Sequence, residues 1–224
     1  DYPSEIRRRI ALTGIPSAIK AQDDLTLQNY IDTIRGADND TNKDAILSYY
    51  TAKKLEVLGY PLNAIREYRN PAEMNSAQYS ALARRDIVKL QRRSRTISAE
   101  KAISEYEKLR FAWGEKDFKI NILNLLADLY VETKNYDKAL QTLQDIKLIA
   151  GEKIEKSINR RMVKIFEDIY LNNYDESLPA IKSLALYQDF EWLAPMSAHY
   201  NQIVQKLADR LVAVDLLDRA LYLL

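Results

Sequence analysis

Apolar residues recur at three- and four-residue intervals along nearly the whole chain, the spacing that puts them on one face of an α-helix. In "KDAILSYYTAKKLEVLG" the stripe holds Ile46, Tyr50 (or Tyr49) and Leu58, with Gly59 as the stop. Pro61 then fits the first turn of a short helix, "PLNAIREY", because proline there gives up an amide that has no helical partner. "NSAQYSALARRDIVKLQRR" aligns Tyr79, Ala83, Ile87 and Leu90, and "ISAEKAISEYEKLRFAW" aligns Ala102, Tyr106 and Leu109 behind Ser98 as N-cap. Three helix pairs follow. "KDFKINILNLLADLYVET" and "DKALQTLQDIKLIAG" flank the turn "KNY". "EKIEKSINRRMVKIFEDIYLNN" precedes "YDESLPAIKSLALYQ", and "PMSAHYNQIVQKLADRLVAVD" precedes "LLDRALYLL". No run alternates as a strand would, so the pattern predicts an all-α fold of antiparallel pairs with short connections.

The pairs repeat one another. "LADLYVETKNYDKALQTL" from Leu126 returns as "LADRLVAVDLLDRALYLL" from Leu207, with identities at Leu126/Leu207, Ala127/Ala208, Asp128/Asp209, Ala139/Ala220 and Leu140/Leu221. A third copy places Phe166 and Tyr170 at the positions of Leu126 and Tyr130. An earlier echo places Ala52, Leu55, Gly59 and Ala64 at the spacing of Ala127, Tyr130, Lys134 and Ala139. A period of about forty residues marks a helical repeat whose units bury one another's apolar faces. The small residues Ala127 and Ala139 belong where two helices approach most closely, and Leu126, Tyr130 and Leu143 fill the space around them.

Leu126, Ala127, Tyr130, Tyr136 and Ala139, followed by Leu143 and Ile146, resemble the tetratricopeptide (TPR) repeat pattern. That pattern has a large residue, a small one, an aromatic, a turn aromatic and a second small residue. The resemblance is clear for residues 120–150 and weaker for 160–224, and it fades before 112. Lys134 stands where the family has a turn glycine. The resemblance implies a right-handed superhelical α-solenoid of stacked antiparallel helix pairs, degenerate in 1–112, TPR-like in 113–224 and continuous between them. The apolar ending "ALYLL" reads as an unfinished repeat, which suggests a fragment of a longer protein and a face through which two chains would dimerise.

Composition narrows the chemistry. The chain has no cysteine, so disulfides and thiolate metal sites are excluded. Five glycines and six prolines leave little for the turns of an all-β fold. The net charge of +1 gives no global pull toward nucleic acid or anionic lipid. No apolar run reaches membrane-spanning length, and a cytoplasmic address is the expectation. No phosphate loop, metalloprotease helix or nucleophile motif is present, so the chain reads as a non-enzyme without cofactor or metal. His199, the single histidine, is expected to be structural. "DNDTNKDAILSY" places Asp38, Asp40 and Asn42 at calcium-ligand spacing, but Lys43 sits where glycine is needed and Tyr49 where the closing glutamate belongs, so it reads as a polar linker.

Two surfaces remain as candidates. The TPR resemblance implies that first helices line a groove. Carried onto this chain, the groove positions are Asn121, Asn124 and Asp128, then Arg161, Lys164 and Asp168, then Gln202, Gln205 and Asp209, which would hold a protein or peptide segment by many modest contacts. Separately, Arg84, Arg85, Lys89, Arg92, Arg93 and Arg95 would cover one side of a helix, as a patch for nucleic acid or as a solvated face answered by Glu100 and Glu105. The leading expectation is a protein–protein interaction scaffold. The alternatives are a nucleic-acid-associated solenoid and the regulatory arm of a larger protein.

Overall fold

A computed structural model describes residues 2–36, 42–172 and 178–223. Among these residues there are twelve α-helices and one 3-10 helix, with no strand. The chain divides into two compact units, Asp1–Gly114 and Glu115–Leu224. The calcium-like positions Asp38 and Asp40 lie outside the described residues, whereas Tyr49, the would-be closing ligand, is a buried core residue.

The first unit holds α1 (Ser4–Ala21), α2 (Asp24–Arg35), α3 (Lys43–Val57), α4 (Pro61–Glu73), α5 (Ala77–Arg93) and α6 (Ala99–Leu109). Consecutive helices pack on one another, most extensively α3 on α4 and α4 on α5. The core runs from Ala11 and Ile15 through Leu27, Ile31 and Ile46 to Tyr68, Ala83 and Leu90. At its centre Tyr49 lies 5.1 Å from Tyr50, 5.6 Å from Tyr68 and 5.7 Å from Tyr79, ring centroid to ring centroid. Such tilted ring pairs add to the burial of the rings themselves. The hydrophobic pattern leaves α1 and α2 unmarked, and α1 contains Gly14 and Pro16. The tip of the Tyr30 ring on α2 fills the space over Gly14, where even a Cβ would come within 2.5 Å of it. α4 runs past the short helix expected from sequence and carries Pro71 near its end.

The second unit holds α7 (Lys116–Glu132), α8 (Tyr136–Ala150), α9 (Glu152–Leu171), α10 (Ala180–Asp189), the 3-10 helix Glu191–Met196, α11 (Tyr200–Ala213) and α12 (Leu217–Leu223). α7 packs on α8, α8 on α9, α9 on α11, and α11 on α12. Ala127 and Ala139, the two small residues singled out above, are both fully buried, as are Leu126, Leu140 and Leu143. Between α10 and α11 the chain does not run on as one long helix; Pro195 sits in the 3-10 turn and α11 starts only at Tyr200.

One turn recurs in both units and accounts for the pairing. α1, α3, α5, α7 and α11 each end on a residue with positive φ: Gln22, Gly59, Arg95, Lys134 and Asp215. In each case the amide of the following residue donates to a carbonyl five residues back, as in Tyr60 to Leu55 (2.9 Å), Asn135 to Tyr130 (2.7 Å) and Leu216 to Leu211 (2.9 Å). This is the Schellman arrangement, which satisfies the last carbonyls of a helix and reverses the chain. The next helix starts immediately after this turn at Asp24, Pro61, Tyr136 and Leu217, and slightly later at Ala99. Only one of the five left-handed residues is glycine, so four of the turns carry a side chain where glycine is favoured.

Candidate functional site

On α7 the buried residues Ile122, Leu123, Leu126, Ala127 and Tyr130 leave Asn121 and Asp128 exposed and Asn124 half-buried on the remaining side. On α9 the buried set Ile158, Met162, Ile165, Phe166 and Ile169 leaves Lys164 exposed, with Arg161 and Asp168 half-buried. On α11 Ile203, Leu207, Ala208 and Leu211 are buried, and Gln202, Gln205 and Asp209 are exposed. All nine groove positions therefore lie off the core-facing sides of the first helices of their pairs.

They are not all equivalent. Arg161 reaches from α9 to α7, where its guanidinium donates to Asn124 Oδ1 at 3.0 Å and to Asp128 Oδ1 at 2.6 Å. Asp128 is thus answered by a cation of the next pair and is not an isolated anion. The ion pair is solvent-accessible and contributes little to stability, roughly 0.2–1 kcal/mol; its importance is register. Asp168 accepts from Asn172 Nδ2 at 2.8 Å within its own helix. Gln205 and Asp209 line a concavity of 340 Å³ together with Tyr200, Asn201, Val204, Ala208 and Leu223. Nearby, Ser197 Oγ donates to Glu167 Oε1 at 2.6 Å, and His199 Nδ1 lies 3.3 Å from the same oxygen. The serine hydroxyl is directed at the carboxylate and not at the imidazole, so this trio ties the α11 entry to α9. Lys206 Nζ caps the end of α9 by donating to Leu171 O at 2.9 Å.

The six cations, five on α5 and Arg95 in the turn after it, are distributed differently from a simple exposed face. Arg84, Arg93 and Arg95 are exposed. Arg84 Nε donates to Ala72 O at 3.1 Å, and Arg92 donates to Ile97 O at 2.9 Å. Arg85 is half-buried against Asp86, 2.8 Å from Nε to Oδ1. Burial pulls Lys89 below the usual lysine range, against the attraction of Asp86. Glu105 pairs with Lys101 and Lys108 of its own helix, each at 2.9 Å, and not with the α5 cations. Ile87, Val88, Ile97 and Leu109 floor a 250 Å³ groove edged by Arg84, Lys101 and Lys108.

Asp86 is the residue the sequence reading passed over. It is fully buried and accepts from Tyr49 Oη at 2.9 Å, Arg85 Nε at 2.8 Å and Lys53 Nζ at 3.3 Å. Burial would raise its carboxyl, but the charges of Arg85 and Lys53 and these hydrogen bonds outweigh it and hold it below the usual carboxylate value. Tyr49 is pushed well up by burial and by the same carboxylate. Lys53 also bridges to Glu56 Oε2 at 2.7 Å, which in turn accepts from Tyr68 Oη at 2.8 Å. The signal was present: Asp86 falls three residues after Ala83 and four before Leu90, a polar letter on an apolar stripe.

Among the described residues no three His, Asp or Glu side chains gather as a metal site would require. No helix among them is long and apolar enough to cross a membrane. The fold and these surfaces define an all-helical protein of neighbouring, repeat-like pairs. No family model, curated protein or solved structure matches the chain significantly.

Proposed function

We propose that the protein is a non-catalytic interaction scaffold. Its antiparallel pairs form a TPR-like, right-handed solenoid, and the first helices of 113–224 offer a groove to an extended or helical segment of a protein partner. The observation that supports this is the wall of α7, α9 and α11, where polar and charged side chains recur in register while the opposite faces are buried. Such a wall binds by summing hydrogen bonds and charge contacts along a segment rather than by one deep pocket. Because Arg161 already answers Asp128, Lys164, Asp168 and the glutamines of α11 would do most of the reading. The test is a pull-down with partners identified by mass spectrometry, comparing the chain with a Lys164→Glu, Asp168→Lys variant. A partner held by the unaltered chain and lost by the variant is the expected result. Equal capture by both, or no partner, overturns the proposal.

A further inference from the structure

Within the first unit, α5 buries more than the side that faces the core. Tyr79, Ala83 and Leu90 belong to that core, whereas Val88, also buried, stands outside it and lines the groove shared with α6. α6 packs on α5 less extensively than α4 does. The turn between α5 and α6 is nonetheless fixed. Thr96 N–H donates to Gln91 O at 2.9 Å, Arg92 donates to Ile97 O at 2.9 Å, and Ser98 Oγ accepts from Lys101 N at 3.2 Å. The two helices, held together at this turn, leave between them the 250 Å³ groove floored by Ile87, Val88, Ile97 and Leu109. Val88 and Leu109 are already buried and Ile87 and Ile97 half-buried, so the floor is formed before anything occupies it.

The rim of this groove is charged and unbalanced. Arg84 lines it from α5, and Lys101 and Lys108 line it from α6. Glu105 is the one carboxylate among the lining residues, and its Oε1 takes both lysines at 2.9 Å. Three cations against one carboxylate leave an excess of two positive charges. Arg84 Nε rests on Ala72 O, a neutral acceptor that does not cancel its charge. An occupant must therefore combine apolar side chains with more than one negative charge. Lys101 and Lys108 stand seven residues apart, about 10 Å along a helix, and Arg84 is on the other wall, so a single carboxylate headgroup cannot meet all three. The groove is also smaller than the roughly 300–1,000 Å³ of small-molecule sites. A nucleic-acid backbone would answer the cations but leave the apolar floor uncovered.

We propose that the α5–α6 groove docks an acidic amphipathic helix of a protein partner. Its apolar residues, at i, i+4 and i+7, cover Ile87 and Ile97, as helices laid in grooves do. Its Asp and Glu residues on either flank meet Arg84 on one wall and Lys101 and Lys108 on the other. The apolar floor supplies most of the affinity, and the exposed rim charges select the partner and its orientation. The site lies wholly within the first unit and shares no residue with the groove positions of α7, α9 and α11, so it stands whether or not that reading does.

The test is fluorescence anisotropy with a labelled helical peptide that carries leucine at i, i+4 and i+7 and glutamate on both flanks. The expected result is saturable binding that weakens about tenfold when Lys101→Glu and Lys108→Glu are combined, as charge pairing across a contact requires. A peptide with lysine in place of glutamate should show the reverse preference and bind the double variant better than the unaltered chain. Ile97→Asp should weaken the acidic peptide by a similar factor. If that variant fails to fold by circular dichroism, a peptide of the same composition with its leucines scattered around the helix tests the floor instead, and should bind about tenfold more weakly than the striped one. No binding of the acidic peptide, binding indifferent to the double variant, or equal binding of the scattered peptide overturns the proposal. So does tighter binding of a single-stranded oligonucleotide or of decanoate at the same lysines, which would assign the groove to nucleic acid or to a small amphiphile. The Lys164→Glu, Asp168→Lys variant should bind the acidic peptide as the unaltered chain does, so failure of this site and failure of the groove on α7, α9 and α11 are separately visible.

Discussion

Replacing Asp86 by alanine tests the account of the first unit most directly. Three donors converge on a carboxylate with no exposed surface, and two of them, Arg85 and Lys53, are cations. Removing the acceptor leaves both charges and the Tyr49 hydroxyl without it, and breaking a buried pair in this way costs on the order of 3–5 kcal/mol. The side chains of Arg85 and Lys53 retain 18% and 14% exposure, so partial rehydration places the loss toward the lower end. Urea denaturation followed by far-ultraviolet circular dichroism measures it, as a lowered midpoint at unchanged slope. Adding Tyr49→Phe, which removes the hydroxyl left without its acceptor, should recover part of the loss. A cost below about 1 kcal/mol would mean that the three donors find water instead, and the network would not organise the unit.

The same residue sets an acid response. Against the cost of burial, the charges of Arg85 and Lys53 hold the Asp86 carboxyl below the usual carboxylate value, so the ionised form favours the folded state. Its contribution is complete above that value and is lost as pH falls through the lower, folded one. Stability should decline with acid below about pH 4, and Asp86→Asn, which has no proton to gain, should flatten that decline.

The remaining predictions concern the turns, the close helix approach and the basic helix. Lys134→Gly should stabilise the second unit by about 1 kcal/mol by relieving the left-handed residue, and Gly59→Ala should cost the first unit about as much; thermal melts read both. Ala139→Leu should overpack the approach of α7 and α8 and cost about 1–3 kcal/mol, again read by denaturation. Arg93→Glu with Arg95→Glu should leave retention on a heparin column at low salt nearly unchanged. A steep loss there would favour the nucleic-acid reading of α5.

How far the sequence could be read follows from what each residue reports. Ala127 and Ala139 were legible because a small residue on an apolar stripe has few other reasons to be there. Gly59 with Pro61 marked a turn that the structure builds as expected. Lys134 and Asp215 make the same turn without glycine, and only alignment to a repeat exposes them. α1 was obscured because Gly14 and Pro16 weaken a helical pattern; the Tyr30 ring of α2 that occupies the space above Gly14 is a tertiary contact that no local window records. The α5 cations meet a related limit. Periodicity assigns a face to each cation, but it does not say that Arg85 turns toward a buried Asp86, since long side chains cross between faces.

The groove candidates show the complementary limit. Their positions follow from helical spacing, and each lies off the core-facing side of its helix. Their partners do not follow, because Arg161 and Asp128 meet only through the packing of separate helices. That meeting changes what the row of aspartates can do. One of the three is matched by the next pair, one is tied within its own helix, and only Asp209 is left facing a concavity. Equivalent positions in a repeat therefore need not do equivalent work: of the three carboxylates, Asp209 is the one that lines a concavity with Gln205 and Tyr200, and in the groove reading it is the one placed to meet a cation or amide of a partner segment.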